Sequence, residues 1–262
     1  MKAYNGYLLD LDGTIYRGRE VIPEARQFLA ELRAACLPYL YLTNNSSATP
    51  EAVTERLRAM GIPAEPEEVV TSSLATAAWL AETERPGATV YVIGEEGLRT
   101  ALQQQGFHLV DEQPDVVAVG IDRSFTYEKL AAAARAIRAG ARFVATNPDL
   151  ALPTENGLVP GNGALMAAVA AASGTAPVVI GKPEPIIVRY ALARLGTAPD
   201  NTLIVGDNLL TDIAAGVNSG LDSLLVLTGY SRMEDLADSP WQPTHIADHL
   251  LAWWDQVKRG SV

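Results

Sequence analysis

Three short apolar runs in this chain end in residues that could act on a charged substrate. Tyr7-Leu8-Leu9 leads into Asp10-Leu11-Asp12-Gly13-Thr14, Tyr39-Leu40-Tyr41-Leu42 into Thr43-Asn44-Asn45, and Leu203-Ile204-Val205-Gly206 into Asp207-Asn208, with Asp212 beyond. A fourth run, Val178-Val179-Ile180-Gly181, ends in Lys182. Residues two apart in an extended segment share a face, so Asp10 and Asp12 can address one reacting atom while Leu11 packs behind them. Gly13 permits a sharp departure from the strand. Carboxylates held close together oppose each other's ionisation and need a counter-charge. Magnesium meets that need, because it takes a few carboxylate oxygens and completes its shell with water and substrate phosphate. Asp10 and Asp207 are the natural side-chain ligands. The chemistry that suits this set is phosphoryl transfer, which needs an in-line nucleophile, neutralised equatorial oxygens and a protonated leaving group.

Bringing such distant residues together requires a particular scaffold. Each apolar run reads as a buried strand, and between the runs lie segments with helical spacing. Pro23 opens one that carries Phe28, Leu29, Leu32 and Cys36, and Thr49-Pro50 opens another that stops near Gly61. Strand and helix in alternation is the pattern of a mostly parallel sheet covered on both faces. Ligands of open parallel sheets bind at the carboxyl ends of the strands, where all four groups would meet. Past Arg85-Pro86-Gly87 the alternation continues: strands at Val90 to Ile93, Val116 to Val119 and Phe143 to Thr146, helices near 98–105 and 127–138, and an alanine-rich helix across Met166 to Ala172 closed by Gly174. This block reads either as a separate small α/β domain or as more of the same sheet. Val178 to Gly181 then resumes a buried strand, Leu224 to Leu227 gives another, and a helix with Leu250, Trp253 and Trp254 closes the fold.

Bulk composition narrows the function. A chain of 262 residues with 48% hydrophobic and 19% charged residues holds a sizeable core, which excludes intrinsic disorder. Thirty-one acidic against 20 basic residues give a net charge of −11 without a basic tract, so nucleic acid is not the expected ligand. No apolar stretch reaches the ~18 residues of a membrane span, and the N-terminus lacks the build of a signal peptide, so the cytoplasm is the expected compartment. Cys36 is the one cysteine, which excludes an intrachain disulfide and a cysteine-rich zinc site; it is expected to be a buried structural residue.

Asp10-Leu11-Asp12-Gly13-Thr14, Thr43-Asn44-Asn45, Gly181-Lys182-Pro183 and Gly206-Asp207-Asn208 through Asp212 resemble, in order, the four signature motifs of the haloacid dehalogenase-like hydrolases. Asp12 and Thr43 are too close for an insertion between them, whereas the stretch from Thr43 to Lys182 exceeds half the chain. That placement resembles the second (C2) cap class. Thr146-Asn147-Pro148-Asp149 and Pro160-Gly161-Asn162-Gly163 resemble the NagD-like, or 4-nitrophenylphosphatase-like, branch.

The resemblance implies a Rossmann-like α/β core at 1–81 and 177–262 with a smaller α/β cap inserted at 82–176. It implies that Asp10 is the nucleophile and that Asp12 is the general acid and base, lending its backbone carbonyl to Mg2+. Thr43 and the Asn44 backbone would hold phosphoryl oxygens, and Lys182 would neutralise charge on nucleophile and phosphate. Asp207 would ligate the metal, with Gly13, Asn45, Asn208 and Asp212 in support. The implied activity is hydrolysis of small phosphate monoesters, such as 4-nitrophenyl, sugar or nucleotide monophosphates, through a phospho-aspartate, by an enzyme of a branch whose members often form homodimers. The alternative that the motifs also admit is a phosphomutase or phosphotransferase using the same intermediate. A signalling protein whose aspartate merely accepts phosphate is disfavoured by Asp12 and the long insertion.

Other features read as structural. Gly161 and Gly163 lack the third glycine of a dinucleotide loop and read as a turn. Asp212 has the alternative of capping the helix that follows it. His245 and His249 have no third histidine nearby and read as surface or packing residues.

Overall fold

The computed structural model describes residues 2–154 and 157–260. The chain divides into two compact units, one drawn from 1–43, 54–70 and 182–262 and the other from 44–53 and 71–181. The outer limits of the expected division, 1 and 262, lie outside the described residues.

The chain begins with β1 (Gly6–Leu9), whose four residues are all buried. A small hairpin follows, β2 (Tyr16–Arg17) with β3 (Glu20–Val21), then α1 (Pro23–Ala34), β4 (Tyr39–Thr43), α2 (Pro50–Ala59) and β5 (Val69–Thr71). The second unit carries α3 (Ser72–Thr83), β6 (Thr89–Ile93), α4 (Glu96–Gln104), β7 (His108–Leu109), β8 (Val116–Val119), α5 (Tyr127–Arg138) and β9 (Arg142–Ala145). The antiparallel pair β10 (Ala151–Thr154) and β11 (Gly157–Pro160), α6 (Asn162–Ser173) and β12 (Val178–Val179) complete it. The first unit resumes with α7 (Pro185–Leu195), β13 (Thr202–Gly206), α8 (Ala214–Ser219), β14 (Asp222–Val226), β15 (His245–Ala247) and α9 (Leu250–Gly260).

The core sheet has the order β15-β14-β13-β1-β4-β5, and its pairings at β1, β13, β14 and β15 are parallel. β1 lies between β13 and β4, so Leu9 is level with Val205 on one side and Tyr41 on the other. That register brings the residues after β1, β4 and β13 to one end of the sheet. α1 packs on α9 through an aromatic cluster in which Phe28 meets Trp254 at 5.7 Å and Tyr7 meets Trp253 at 6.0 Å. The second sheet, β12-β9-β8-β6-β7, is parallel throughout. Val117, Val119 and Phe143 form one core there with Ala133 and Ile137 of α5 and Leu165 and Val169 of α6. The fold is thus the expected mostly parallel α/β core with a smaller inserted α/β domain.

Local signals account for many element ends. Thr126 caps α5 by accepting from the Lys129 N–H at 3.3 Å, and Thr49 accepts from the Ala52 N–H at 3.3 Å. α6 and α7 stop at Gly174 and Gly196, both left-handed.

Two expectations are corrected. Cys36 is exposed rather than buried and lies outside α1, with a φ of +52°. The Leu37 N–H returns to the Leu32 carbonyl at 2.9 Å, so Cys36 occupies the left-handed stop that glycine usually fills. Its apolar character pointed to the core, but the end of the helix decided its place. The run at Val178 is a two-residue strand with Val178 exposed, and it pairs with β9 of the second sheet rather than within the core sheet. β5 and the β10–β11 pair lie on segments that carried no strand expectation.

Candidate active site

The site in the first unit is organised by Lys182. Its Nζ donates to Asp10 Oδ1 at 2.6 Å, Asp212 Oδ1 at 2.6 Å and the Leu42 carbonyl at 3.0 Å. These acceptors match the three protons of an ammonium. They come from the ends of β1 and β4 and from the turn after β13, so one side chain ties three chain segments together. Lys182 is only 2% exposed. Burial alone would favour its neutral form, but the Asp10 and Asp212 carboxylates outweigh that and hold the ammonium more firmly than usual.

The Asp10 N–H donates to the Val205 carbonyl at 2.9 Å, which fixes the chain as it leaves β1. Asp207 directly follows β13 and is enclosed by a second loop. Its Oδ2 accepts from the Tyr230 N–H at 2.6 Å, its carbonyl from the Ser231 N–H at 3.0 Å, and its Oδ1 from Thr14 Oγ1 at 3.4 Å. Thr228 Oγ1 donates to the Gly13 carbonyl at 2.6 Å, joining that loop to the turn after β1. Two glycines make room for the carboxylate: a Cβ at Gly13 would lie 2.3 Å from Asp207 Oδ2, and one at Gly229 2.0 Å from it. A side chain at either position would displace Asp207.

Asp212 reaches back through a π-helical turn at Leu209–Ile213. The Asn208 N–H donates to Asp212 Oδ2 at 3.1 Å, while Asn208 Oδ1 caps the turn by accepting from the Leu210 N–H at 2.9 Å. Asp212 is therefore an ion-pair partner inside the turn, and the helix-capping alternative falls to Asn208.

One oxygen from each of Asp10, Asp207 and Asp212 lies within 4.8 Å of the others. The donor set is anionic and made wholly of hard oxygens, which fits a divalent cation that prefers oxygen. Burial first, and then Asp212, push the Asp207 carboxyl up to about 7. Burial also holds Asp10 well above the usual carboxylate range; Asp212 and Asp207 add to the rise, and Lys182 opposes it.

The remaining expected residues are placed as follows. Asp12 is exposed on the turn after β1, bridged to Tyr16, while Leu11 is buried beneath it. Thr43 ends β4, and Asn44 and Asn45 begin the segment that belongs to the second unit. There Asn44 Nδ2 donates to the Asp149 carboxylate at 3.1 and 3.3 Å, and Asn45 Oδ1 accepts from the Ser47 and Ala48 N–H groups at 3.0 and 2.9 Å. Gly161 and Gly163 flank the start of α6. His245 is on β15 and bonds Tyr4 at 2.7 Å; His249 Nδ1 accepts from the Ala252 N–H at 3.1 Å as α9 begins. Sequence reasoning missed the Thr228–Ser231 loop, whose one signal was a glycine soon after an apolar strand.

Comparison with known proteins agrees with this geometry. A family model described as haloacid dehalogenase-like hydrolase matches residues 7–108, and a second, HAD-hydrolase-like model matches residues 179–253. The chain is 51% identical to the 5'-nucleotidase YutF of Bacillus subtilis over 253 residues, 97% of this chain and 98% of that protein. It is 50% identical to an acid sugar phosphatase of Staphylococcus aureus over 246 residues, 94% of this chain and 95% of that protein. A crystal structure of a glycerol phosphate phosphatase from Mycobacterium tuberculosis in complex with magnesium is similar at a TM-score of 0.90 and 39% identity, covering 96% of this chain and 78% of that one.

Proposed function

The chain belongs to the haloacid dehalogenase-like hydrolases, in their NagD-like branch, and we propose that in this phosphate-monoester hydrolase Asp10 is the nucleophile and Mg2+ the cation held by the aspartate cluster. The observation that carries the reading is Lys182, which pairs with Asp10 inside a cluster of three carboxylates.

Asp10, Asp207 and the Asp12 backbone carbonyl hold the cation, with Asp212 anchoring Lys182 beside them. When bound, magnesium supplies positive charge to the phosphoryl oxygens. Asp10 attacks phosphorus, forming an Oδ–P bond as the ester P–O bond breaks, and Asp12 gives its proton to the departing oxygen. Asp12 then takes a proton from water, the water oxygen bonds phosphorus, and the Asp10 Oδ–P bond breaks to release phosphate. Lys182 offsets the charge on Asp10, and Thr43 and the Asn44 N–H hold phosphoryl oxygens.

The substrates are small monoesters: 4-nitrophenyl phosphate and sugar or nucleotide monophosphates. The names of the nucleotidase and sugar phosphatase relatives support that range, and the magnesium in the glycerol phosphate phosphatase supports the metal. Residues 82–176 form the C2-type cap that selects the leaving group, and the enzyme works in the cytoplasm as a homodimer. Among the described residues no helix is long and apolar enough to cross a membrane.

Rapid-quench measurement of the phospho-enzyme tests the division of labour. Asp10→Asn should form no intermediate with any ester. Asp12→Asn should slow the first step by about 10²–10⁴ for sugar phosphates and by much less for 4-nitrophenyl phosphate, whose leaving group needs little protonation. Equal slowing of both classes, or an intermediate on Asp10→Asn, contradicts the assignment.

A further inference from the structure

Asn44 is gripped more firmly than a loop residue needs to be. Its carbonyl accepts from Ser72 Oγ at 2.8 Å and from Asn147 Nδ2 at 2.9 Å. Its side-chain nitrogen donates to both oxygens of Asp149, at 3.1 and 3.3 Å. On the opposite side of that amide, a Cβ at Gly181 would lie 2.6 Å from Asn44 Oδ1, so the absence of a side chain at Gly181 gives the amide its place.

Two of the three residues that hold Asn44, Asn147 and Asp149, are themselves fixed. Asn147 is 4% exposed; its carbonyl accepts from Asn162 Nδ2 at 2.7 Å and its Oδ1 accepts from the Asp149 N–H at 3.2 Å. The Asp149 carbonyl accepts from the Gly163 N–H at 2.8 Å, at the start of α6. The contact there is backbone to backbone: a Cβ at Gly161 would meet the Asp149 carbonyl at 2.2 Å, and one at Gly163 the Pro148 carbonyl at 2.2 Å. The loop 146–149 is thereby locked to a twelve-residue helix, and Asn44 is locked to the loop. A group that stabilises charge on phosphorus must be held within about 0.5 Å, and an error near 1 Å costs about a hundredfold in rate.

We propose that Asn147 and Asp149 are positioning residues for Asn44, orienting the backbone N–H that takes a phosphoryl oxygen. The inference rests on the role given to Asn44 above. Asn147 acts on the residue's carbonyl and Asp149 on its side chain, so together they fix its backbone dihedrals. Neither touches the reacting phosphorus in this scheme.

The test is a double-mutant cycle on the full-length enzyme, with turnover of 4-nitrophenyl phosphate and inhibition by inorganic phosphate measured per folded molecule. Asp149→Ala should lower kcat about tenfold to a hundredfold and weaken phosphate inhibition by a similar factor. In an Asn44→Ala background the same change should add nothing, because Asp149 acts through that side chain. Asp149→Asn keeps an acceptor and should retain most of the activity. Asn147→Asp, nearly isosteric, sets oxygen against the Asn44 carbonyl and should reproduce the loss even where Asp149→Ala folds poorly. Wild-type constants for Asp149→Ala or Asn147→Asp, or additive effects in the cycle, overturn the inference. Asp10→Asn is run alongside: if it still turns over, the mechanism above fails, whereas an inactive Asp10→Asn beside an unaffected Asp149→Ala defeats the positioning role alone.

Discussion

Lys182 is bound as closely to Asp212 as to Asp10, with 2.6 Å from Nζ to one oxygen of each. The lysine and Asp212 side chains are 3% and 2% exposed, so the cation between the carboxylates is a condition of their burial. Lys182→Met leaves that charge without its partner. Removing one member of a buried pair costs about 3–5 kcal/mol, and a lowered melting temperature should show it. Turnover should fall by at least about a hundredfold at saturating substrate, since Lys182 is proposed to act on charge at the reacting centre. Near-normal turnover would remove Lys182 from the mechanism.

Asp207, raised to about 7, makes metal binding a proton exchange. A carboxyl raised in the folded state holds a proton there that the unfolded chain, near pKa ~4, has already lost. In the metal-free protein this group therefore favours folding as the pH falls from about 7 toward about 4, and that contribution is lost as the pH rises through 7. A cation must displace the proton, so affinity should weaken below pH 7. Titration of metal-free protein with magnesium at pH 6, in buffers of different ionisation enthalpy, should report up to about one proton released per ion, falling toward zero at pH 8. A buffer-independent heat at pH 6 contradicts this.

Gly229 is expected to govern metal affinity without offering a ligand. An alanine Cβ would sit 2.0 Å from Asp207 Oδ2, so either the carboxylate or the Tyr230 N–H that holds it must move. Gly229→Ala should raise the magnesium concentration needed for half-maximal activity by at least about tenfold, a misplacement effect of the kind that follows a shift near 1 Å. An unchanged metal dependence would mean that the loop yields without disturbing Asp207.

Cys36 occupies a left-handed position at the end of α1 that L side chains adopt at a cost of about 1–2 kcal/mol. Cys36→Gly removes that cost and gives back part of it as unfolded-state freedom. The net gain should be about 0.5–1 kcal/mol, seen as a melting temperature higher by roughly 1–3 °C. Cys36→Ala, which keeps a Cβ, should show no such gain.

Strand ends were legible at three of the four apolar runs that met a polar residue. β1, β4 and β13 fall where Leu9, Leu42 and Val205 placed them, and α5 has the bounds that Tyr127 and Arg138 suggested. The convergence of Asp10 and Asp207 followed from a parallel sheet, since strands running one way deliver their ends to one edge, whereas Lys182 follows a strand of the second sheet. What stayed hidden depended on approach rather than on pattern. Nothing in a periodicity says that the Tyr230 N–H turns toward Asp207, or that Asp149 reaches Asn44 from 105 residues away. Cys36 was misplaced because side-chain chemistry and backbone position disagreed there, and backbone geometry prevailed. Val178 was assigned to the core sheet because a short apolar run carries no record of which sheet it joins.

The π-helical turn at Leu209–Ile213 gives the site a counting rule. The wide turn carries one more residue than an α-helix would use, and it points the Asp212 carboxylate at Lys182 and the Asn208 N–H. Deleting the exposed Leu210 would let the turn relax to α-helical spacing. The carboxylate would then swing by about 100° around the axis, the angle between neighbouring helical residues. Chain length between Asn208 and Ile213 is thus as much a part of the site as the identity of Asp212: substitutions at Leu210 leave the phase of the turn intact, whereas a single-residue gap shifts it out of phase.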